Sequence, residues 1–138
     1  LDTTVLIDHA KGHPDGVAVL ARVFEESAAL YTCDVVTSEA LSGGDEEERG
    51  VIGRLLDALE YVAIDPVGAR WAGEQRRRLA LQGYRHPLAD ALIAATAWGL
   101  DAVVVTRNAA DFQRFGVPVM GYGDPPQARA GTKRGSTA

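Results

Sequence analysis

The chain has 138 residues, 46% of them hydrophobic and 24% charged, with one cysteine and a formal net charge of −5. That length suits one domain able to bury about two-thirds of its unfolded surface, so neither a disulfide framework nor a zinc staple is required. Cys33 has no second cysteine to pair with, no apolar run approaches the roughly 20 residues that span a bilayer, and the acidic balance argues against a simple phosphate-coating nucleic-acid binder. With no signal-peptide pattern, a reducing cytoplasm is the expected location and no membrane association is expected. The charge is uneven: residues 1–69 hold 14 of the 19 acids, whereas residues 70–115 hold seven arginines. Such a division gives either a surface of two characters or an uneven set of solvated helix faces.

Leu1 to Ile7 reads as the exit from a buried strand, ending at Asp2, into a helix. So short a strand suggests that residues upstream of Leu1 are absent from this sequence. Pro14 to Ala28 is a predicted helix, with Pro14 in its first turn and Val17, Leu20, Ala21, Phe24 and Ala28 on one face. Leu30 to Val36 is β-prone, and Thr37-Ser38 offers N-cap chemistry for a helix carrying Glu39 in its first turn. Gly43-Gly44 interrupts it. Asp45 and Glu48, in capping-box spacing, open a helix whose apolar stripe is Val51, Ile52, Leu55, Leu56 and Leu59.

Tyr61 to Ile64 is a second strand, and Asp65-Pro66 caps a helix that runs through Trp71 and Leu79 to Gly83. Pro87 opens a helix from Leu88 to Trp98, apolar nearly all round and therefore buried, with Gly99 as its C-terminal cap. Ala102 to Val105 is a strand, Thr106 to Phe115 a loop with a short helix, and Val117 to Met120 a last strand. Strands alternating with helices give an α/β fold with a parallel sheet. Residues 122–138, rich in Gly, Pro, Ser, Thr and Arg, read as a polar tail ordered only near its start.

Ligands of parallel α/β sheets bind beyond the carboxyl ends of the strands. Asp2 closes the first strand, Glu39 follows the strand ending at Val36, and Asn108 and Asp111 follow the strand ending at Val105. Asp90 sits one turn into the helix that Pro87 opens. Taken singly, these residues also have ordinary structural roles, since acids favour turns and the first turns of helices. Asp90 departs furthest from that, because its neighbours Leu88, Ala89, Ala91, Leu92 and Ile93 are apolar. Several carboxylates in one cleft repel one another unless a hard divalent cation, Mg²⁺ or Mn²⁺, sits between them. A cation there can bind a phosphodiester and activate water.

Four segments, in order, carry a family resemblance: Asp2-Thr3-Thr4-Val5-Leu6-Ile7-Asp8, Thr37-Ser38-Glu39-Ala40-Leu41, Leu88 to Ala97, and Thr106-Arg107-Asn108-Ala109-Ala110-Asp111-Phe112. Together they resemble PIN domains, in particular the VapC toxins of VapBC toxin–antitoxin modules. The resemblance covers roughly residues 1–121, taken as one PIN-like nuclease domain. It implies a three-layer sandwich in which helices flank a central parallel sheet of four or five strands. It also implies that Asp2, Glu39 and Asp90 form an acidic triad around Mg²⁺ or Mn²⁺, with a fourth group at Asn108 or Asp111. Thr3 and Thr106 match hydroxyls that orient those carboxylates, while Thr4 stands where Asn is common.

The implied activity is a metal-dependent endoribonuclease, the toxin of a type II pair, hydrolysing RNA under control of a VapB-like antitoxin. A homodimer is implied too, with the apolar helices from Pro14 and from Asp45 as candidate surfaces. Arg85 and Arg107, in loops near the proposed cleft, are candidates to hold RNA phosphates, whereas Arg76, Arg77 and Arg78 project in three directions from a helix. His9 and His13 have zinc-ligand spacing, but Gly12 and Pro14 disfavour a continuous helix there and no third ligand is evident. Two other readings stand beside the nuclease. A catalytically weak PIN-like binding domain would have lost one or more of the acids. A haloacid-dehalogenase-like phosphotransferase would need an acid at position 4, which is Thr.

Overall fold

The computed structural model describes residues 1–27 and 29–123. Helix α1 (Thr3–Ala10) starts at Asp2, whose carboxylate accepts from the Thr3 N–H, and α2 (Pro14–Glu26) follows with Pro14 at its first position. Then come β1 (Tyr31–Cys33), α3 (Asp34–Leu41), α4 (Glu46–Asp57), β2 (Glu60–Val62) and α5 (Pro66–Leu81). The chain continues through α6 (Leu88–Leu100), β3 (Val104–Thr106), α7 (Ala109–Gln113) and β4 (Val119–Gly121). Asp45 and Glu48 form the expected reciprocal capping box, and Asp65 caps α5 by accepting from the Gly68 N–H at 2.7 Å.

The strands form two parallel ladders, β1 with β2 and β3 with β4. The first two residues join them. The Leu1 nitrogen donates to the Tyr31 carbonyl at 2.9 Å, and the Asp2 N–H donates to the Val105 carbonyl at 3.0 Å. Leu1-Asp2 thus bridges the two pairs where a strand was expected, without forming a regular strand of its own.

Two apolar clusters lie on opposite faces of this layer. Adjacent Val104 and Val105 point to different clusters, as the two-residue period of a strand demands. Val105 joins Val5, Val19, Leu20 and Val23 from α1 and α2, whereas Val104 faces the larger cluster with Leu6, Ile52, Ile93 and Phe112. The layer is therefore covered on both sides, the three-layer arrangement that the alternation of elements requires.

Several boundaries differ from the sequence reading. The strand expected over Leu30–Val36 stops at Cys33, and α3 starts at Asp34, not after Thr37-Ser38. Asp34 sets this boundary: its carboxylate accepts from the Val35 and Ile64 N–H groups, tying the start of α3 to the chain just after β2. Glu39 consequently sits in the second turn of α3. Helix α6 extends past Gly99, and Asp101, in the left-handed region at φ 53°, is the C-cap. Leu88 is 53% exposed because it lies at the helix mouth, so α6 is buried over its middle and not throughout.

In α2 the buried face is Gly16, Val19, Leu20 and Val23, which leaves Val17, Ala21 and Phe24 outward. Close approach of α1 selects that face. The expected helix end at Ala28 and tail residues 124–138 lie outside the described residues. Tyr122, read as the start of the tail, is anchored through its hydroxyl to the Asp8 carboxylate at 2.7 Å.

A Cβ added at Gly16 would stand 2.5 Å from Asp8 Cβ and 3.1 Å from the Asp8 carbonyl carbon, both on α1. Gly16→Ala is therefore expected to lower stability by about 1–3 kcal/mol through overpacking, despite the better helix propensity of alanine. Urea denaturation of the purified variant checks this. An unchanged or higher midpoint would mean that the two helices separate at no cost.

Candidate active site

Asp2 is 3% exposed and holds three polar partners in place. Its Oδ1 accepts from the Thr3 N–H at 2.8 Å, and its Oδ2 accepts from the Thr106 hydroxyl at 2.7 Å and the Thr4 hydroxyl at 3.0 Å. Burial raises its pKa, and these hydrogen bonds oppose that rise by favouring the charged form. Thr106 Oγ1 also accepts from the Asn108 N–H at 2.9 Å, so the end of β3 is folded around the same carboxylate.

Thr3 links two acids. Its N–H serves Asp2, while its hydroxyl donates to Glu39 Oε1 at 2.8 Å across 36 residues of sequence. Asp2, Glu39, Asp90 and Asn108 then line one open cleft of about 510 Å³, together with Thr3, Thr4, Ile7 and Ser42. No Lys or Arg is among those lining residues. The Asp90 carboxyl is pushed up to about 7 from an ordinary 3.8, first by burial and then by the charges of Asp2, Asp111 and Glu39. Acids far apart in sequence therefore share one electrostatic neighbourhood.

Asp111 lies on the other side of Asp90. One ligand atom each from His86, Asp90 and Asp111 falls within 4.8 Å of the others, and Arg114 pairs with Asp111 at 3.0 Å. Asn108 and Asp111 thus divide the expected fourth position, the amide in the cleft and the carboxylate beside His86. His86, directly before Pro87 in the loop that leads into α6, is only 6% exposed. Its ring lies 5.2 Å from Phe115, and its carbonyl accepts from Arg76 Nε at 3.2 Å. Its adjacency to the helix that carries Asp90 was the only sequence signal for this placement.

The two loop arginines are not brought into the cleft. Arg107 Nε pairs with Asp8 Oδ2 at 3.3 Å, its guanidinium contacts the His13 ring, and it lies over Tyr122 at 5.8 Å. Arg107, expected beside the cleft, is thus held by Asp8 of α1 and is not among the cleft-lining residues. Arg85 lines a separate groove beyond His86. His9 and His13 belong to no metal-sized cluster among the described residues; His13 caps α2 and meets Arg107.

The donor chemistry suits a hard divalent cation. Asp2, Glu39 and Asp90 offer carboxylate oxygens, Asn108 offers an amide, and the negative charge lacks a cationic side chain among the lining residues. Thr4, whose hydroxyl serves Asp2, stands where a phosphotransferase of the alternative type would need an acid.

The raised Asp90 pKa has a sign that calorimetry can read. In chelator the folded state holds this proton more tightly than the unfolded chain does. Stability contributed at low pH is lost as pH rises from about 4 through about 7, by up to about 4 kcal/mol. Asp90→Asn is expected to flatten this fall, melting above the native protein at about pH 8 and close to it at about pH 4. A variant that melts lower at about pH 8 would show that Asp90 bears no such repulsion.

Comparison with known proteins identifies the family. The PIN domain family matches residues 1–118. The chain is 30% identical over 115 residues to "Ribonuclease VapC19" of Mycobacterium tuberculosis, covering 83% of this chain and 92% of the relative. It is 35% identical over 119 residues to "Ribonuclease VapC10" of the same organism, covering 83% and 86%. The fold is similar to that in the crystal structure of VapBC2 from Rickettsia felis bound to a DNA fragment from their promoter. The TM-score is 0.73 at 20% identity, covering 88% of this chain and 96% of that one. DNA-bound VapBC from Salmonella typhimurium gives 0.72 at 24% identity, covering 87% and 94%. At such identities these structures attest the fold, while the family match and the sequence relatives show its membership. The chain belongs to the PIN domain family, among the VapC ribonucleases.

Proposed function

We propose that this protein is a metal-dependent endoribonuclease, the toxin of a type II toxin–antitoxin pair, with Mg²⁺ or Mn²⁺ as its cofactor. The observation that carries the reading is the convergence of Asp2, Glu39 and Asp90 on one cleft whose lining supplies no positive charge. Asp2, Glu39 and Asp90 would hold the cation, with Asn108 beside them and Asp111 acting through its charge on Asp90. When bound, such an ion stabilises charge on a phosphoryl oxygen and lowers the pKa of water for attack.

The chain's own side chains do the positioning. Thr106 and Thr4 fix the rotamer of Asp2, and Thr3 holds Glu39 toward it, so both carboxylates meet a ligand without first losing rotamer freedom. The Asn108 side chain, at the cleft wall, would hydrogen-bond substrate. A binding-only domain has no use for an arrangement this costly in repulsion, and each of the triad acids is present.

The partners follow from the same reading. A VapB-like antitoxin is the expected inhibitor, as the VapBC relatives are complexes. A homodimer is expected as well, and the outward Val17 and Phe24 of α2, 40% and 41% exposed, offer apolar surface for it. Among the described residues no helix is long and apolar enough to cross a membrane, and a cytoplasmic location fits the cysteine usage.

Cleavage of cellular RNA by the purified protein is expected to require Mg²⁺ or Mn²⁺, to stop in EDTA and to return on adding back metal. Asp90→Asn, Asp2→Asn and Glu39→Gln are each expected to lower the rate by at least about 100-fold while circular dichroism stays native. Full metal-dependent activity in any of these folded variants would refute the assignment. Thr106→Val tests positioning: it is expected to cost about 1–3 kcal/mol of stability and to lower metal affinity, read by calorimetric titration.

A further inference from the structure

The anionic cleft poses a problem for its own substrate, because RNA phosphates are repelled by the carboxylates that must meet one of them. Positive charge has to come from beside the cleft. Most described cations elsewhere are already matched to acids: Lys11 to Glu48, Arg22 to Glu26, Arg49 to Glu46, Arg107 to Asp8 and Arg114 to Asp111. The arginines of α5 and the following loop differ. Arg76 and Arg78 donate to backbone carbonyls, and among the described residues Arg77 and Arg85 have no ion-pair partner.

Of the five arginines on α5 and the following loop, Arg76, Arg77 and Arg85 line a single groove of about 530 Å³ with Tyr84 and His86 in its wall. His86 joins that groove to the active site, since its ring nitrogen lies within 4.8 Å of carboxylate oxygens of Asp90 and Asp111. The hydrogen bond from Arg76 Nε to the His86 carbonyl fixes the ridge between them. Arg114 packs over the Tyr84 ring at 4.2 Å, which stiffens the far wall.

Resting on the ribonuclease reading above, we infer that this groove is the docking track for the RNA backbone flanking the cleaved bond, with Arg77 and Arg85 holding its phosphates. The chemistry is that of a phosphate-contacting surface: guanidinium groups at an open concavity position a strand without reading its bases. It fits the charge division along the sequence, because three of the seven arginines of residues 70–115, Arg76, Arg77 and Arg85, line a groove that His86 joins to the acids. It also explains how a protein with net charge −5 can hold a polyanion.

The test is binding of a short, fluorescein-labelled single-stranded RNA, followed by anisotropy across a salt series in EDTA, where metal-dependent cleavage is expected to stop. The proteins are the native chain, Arg77→Gln/Arg85→Gln, and Arg54→Gln as an exposed control on α4. The double variant is expected to bind on the order of tenfold more weakly and to lose about 1.4 from the slope of log affinity against log salt. The control is expected to match the native chain. Unchanged affinity and slope in the double variant, or an equal loss in Arg54→Gln, would overturn the inference while leaving metal-dependent cleavage intact. A native chain that neither binds nor cuts RNA would instead overturn the ribonuclease reading on which it rests.

Discussion

The buried carboxylate of Asp2 is the constraint around which this molecule is organised. Its backbone N–H completes a hydrogen bond with β3, its Oδ1 starts α1, and its Oδ2 gathers the hydroxyls of Thr4 and Thr106. One residue therefore ties the start of the chain to β3, orients the first helix and supplies the first acid of the cleft, while Leu1 beside it reaches β1. A buried charge of this kind is tolerable only when it is hydrogen-bonded, and here three donors serve it, one on Oδ1 and two on Oδ2. The same donors fix where the other acids must arrive, because Thr3 reaches Glu39 and Thr106 holds the Asn108 loop.

Convergence of acids opposes folding and favours function. Asp90 is held near neutrality by burial and by three neighbouring carboxylates, so the metal-free fold carries a penalty that a dication would relieve. Such strain between stability and activity is usual at sites that must meet a charged ligand. The geometry keeps the penalty local. Asp8, also on α1, is turned away from the cleft and satisfied by Arg107 and Tyr122. Asp111 is shared between Arg114 and the Asp90 side of the site.

The helix pair α5 and α6 supplies the counterpart to that acidity. Trp71 and Trp98 stack across it at 5.1 Å, and buried alanines of α6 let the helices approach closely. This packing sets the arginine-bearing face of α5 beside the loop that leads into Asp90. Acid and base are thus presented by neighbouring elements, side by side without cancelling, because the His86 ridge stands between them.

Much of this was written locally in the chain. Caps at Asp45 and Asp65, Pro14 in the first turn of α2, and the alternation of β-prone and helical segments specify the α/β class by short-range chemistry. The identities of Asp2, Glu39 and Asp90 are visible as acids at segment ends, since a carboxylate on an apolar helix such as α6 has no cheap structural explanation. What local rules missed were outcomes decided by partners distant in sequence. Asp34 ended β1 early because Ile64 arrived to bond with it, α2 turned Gly16 inward because α1 needed room, and Arg107 pairs with Asp8 of α1, far away in sequence. The placement of His86 beside Asp90 and Asp111 likewise depended on β3 returning to the mouth of α6. The sequence by itself determined which elements form and which acids are available; only the tertiary structure decided which way each side chain faces, because that choice turns on contacts between segments that the chain brings together last.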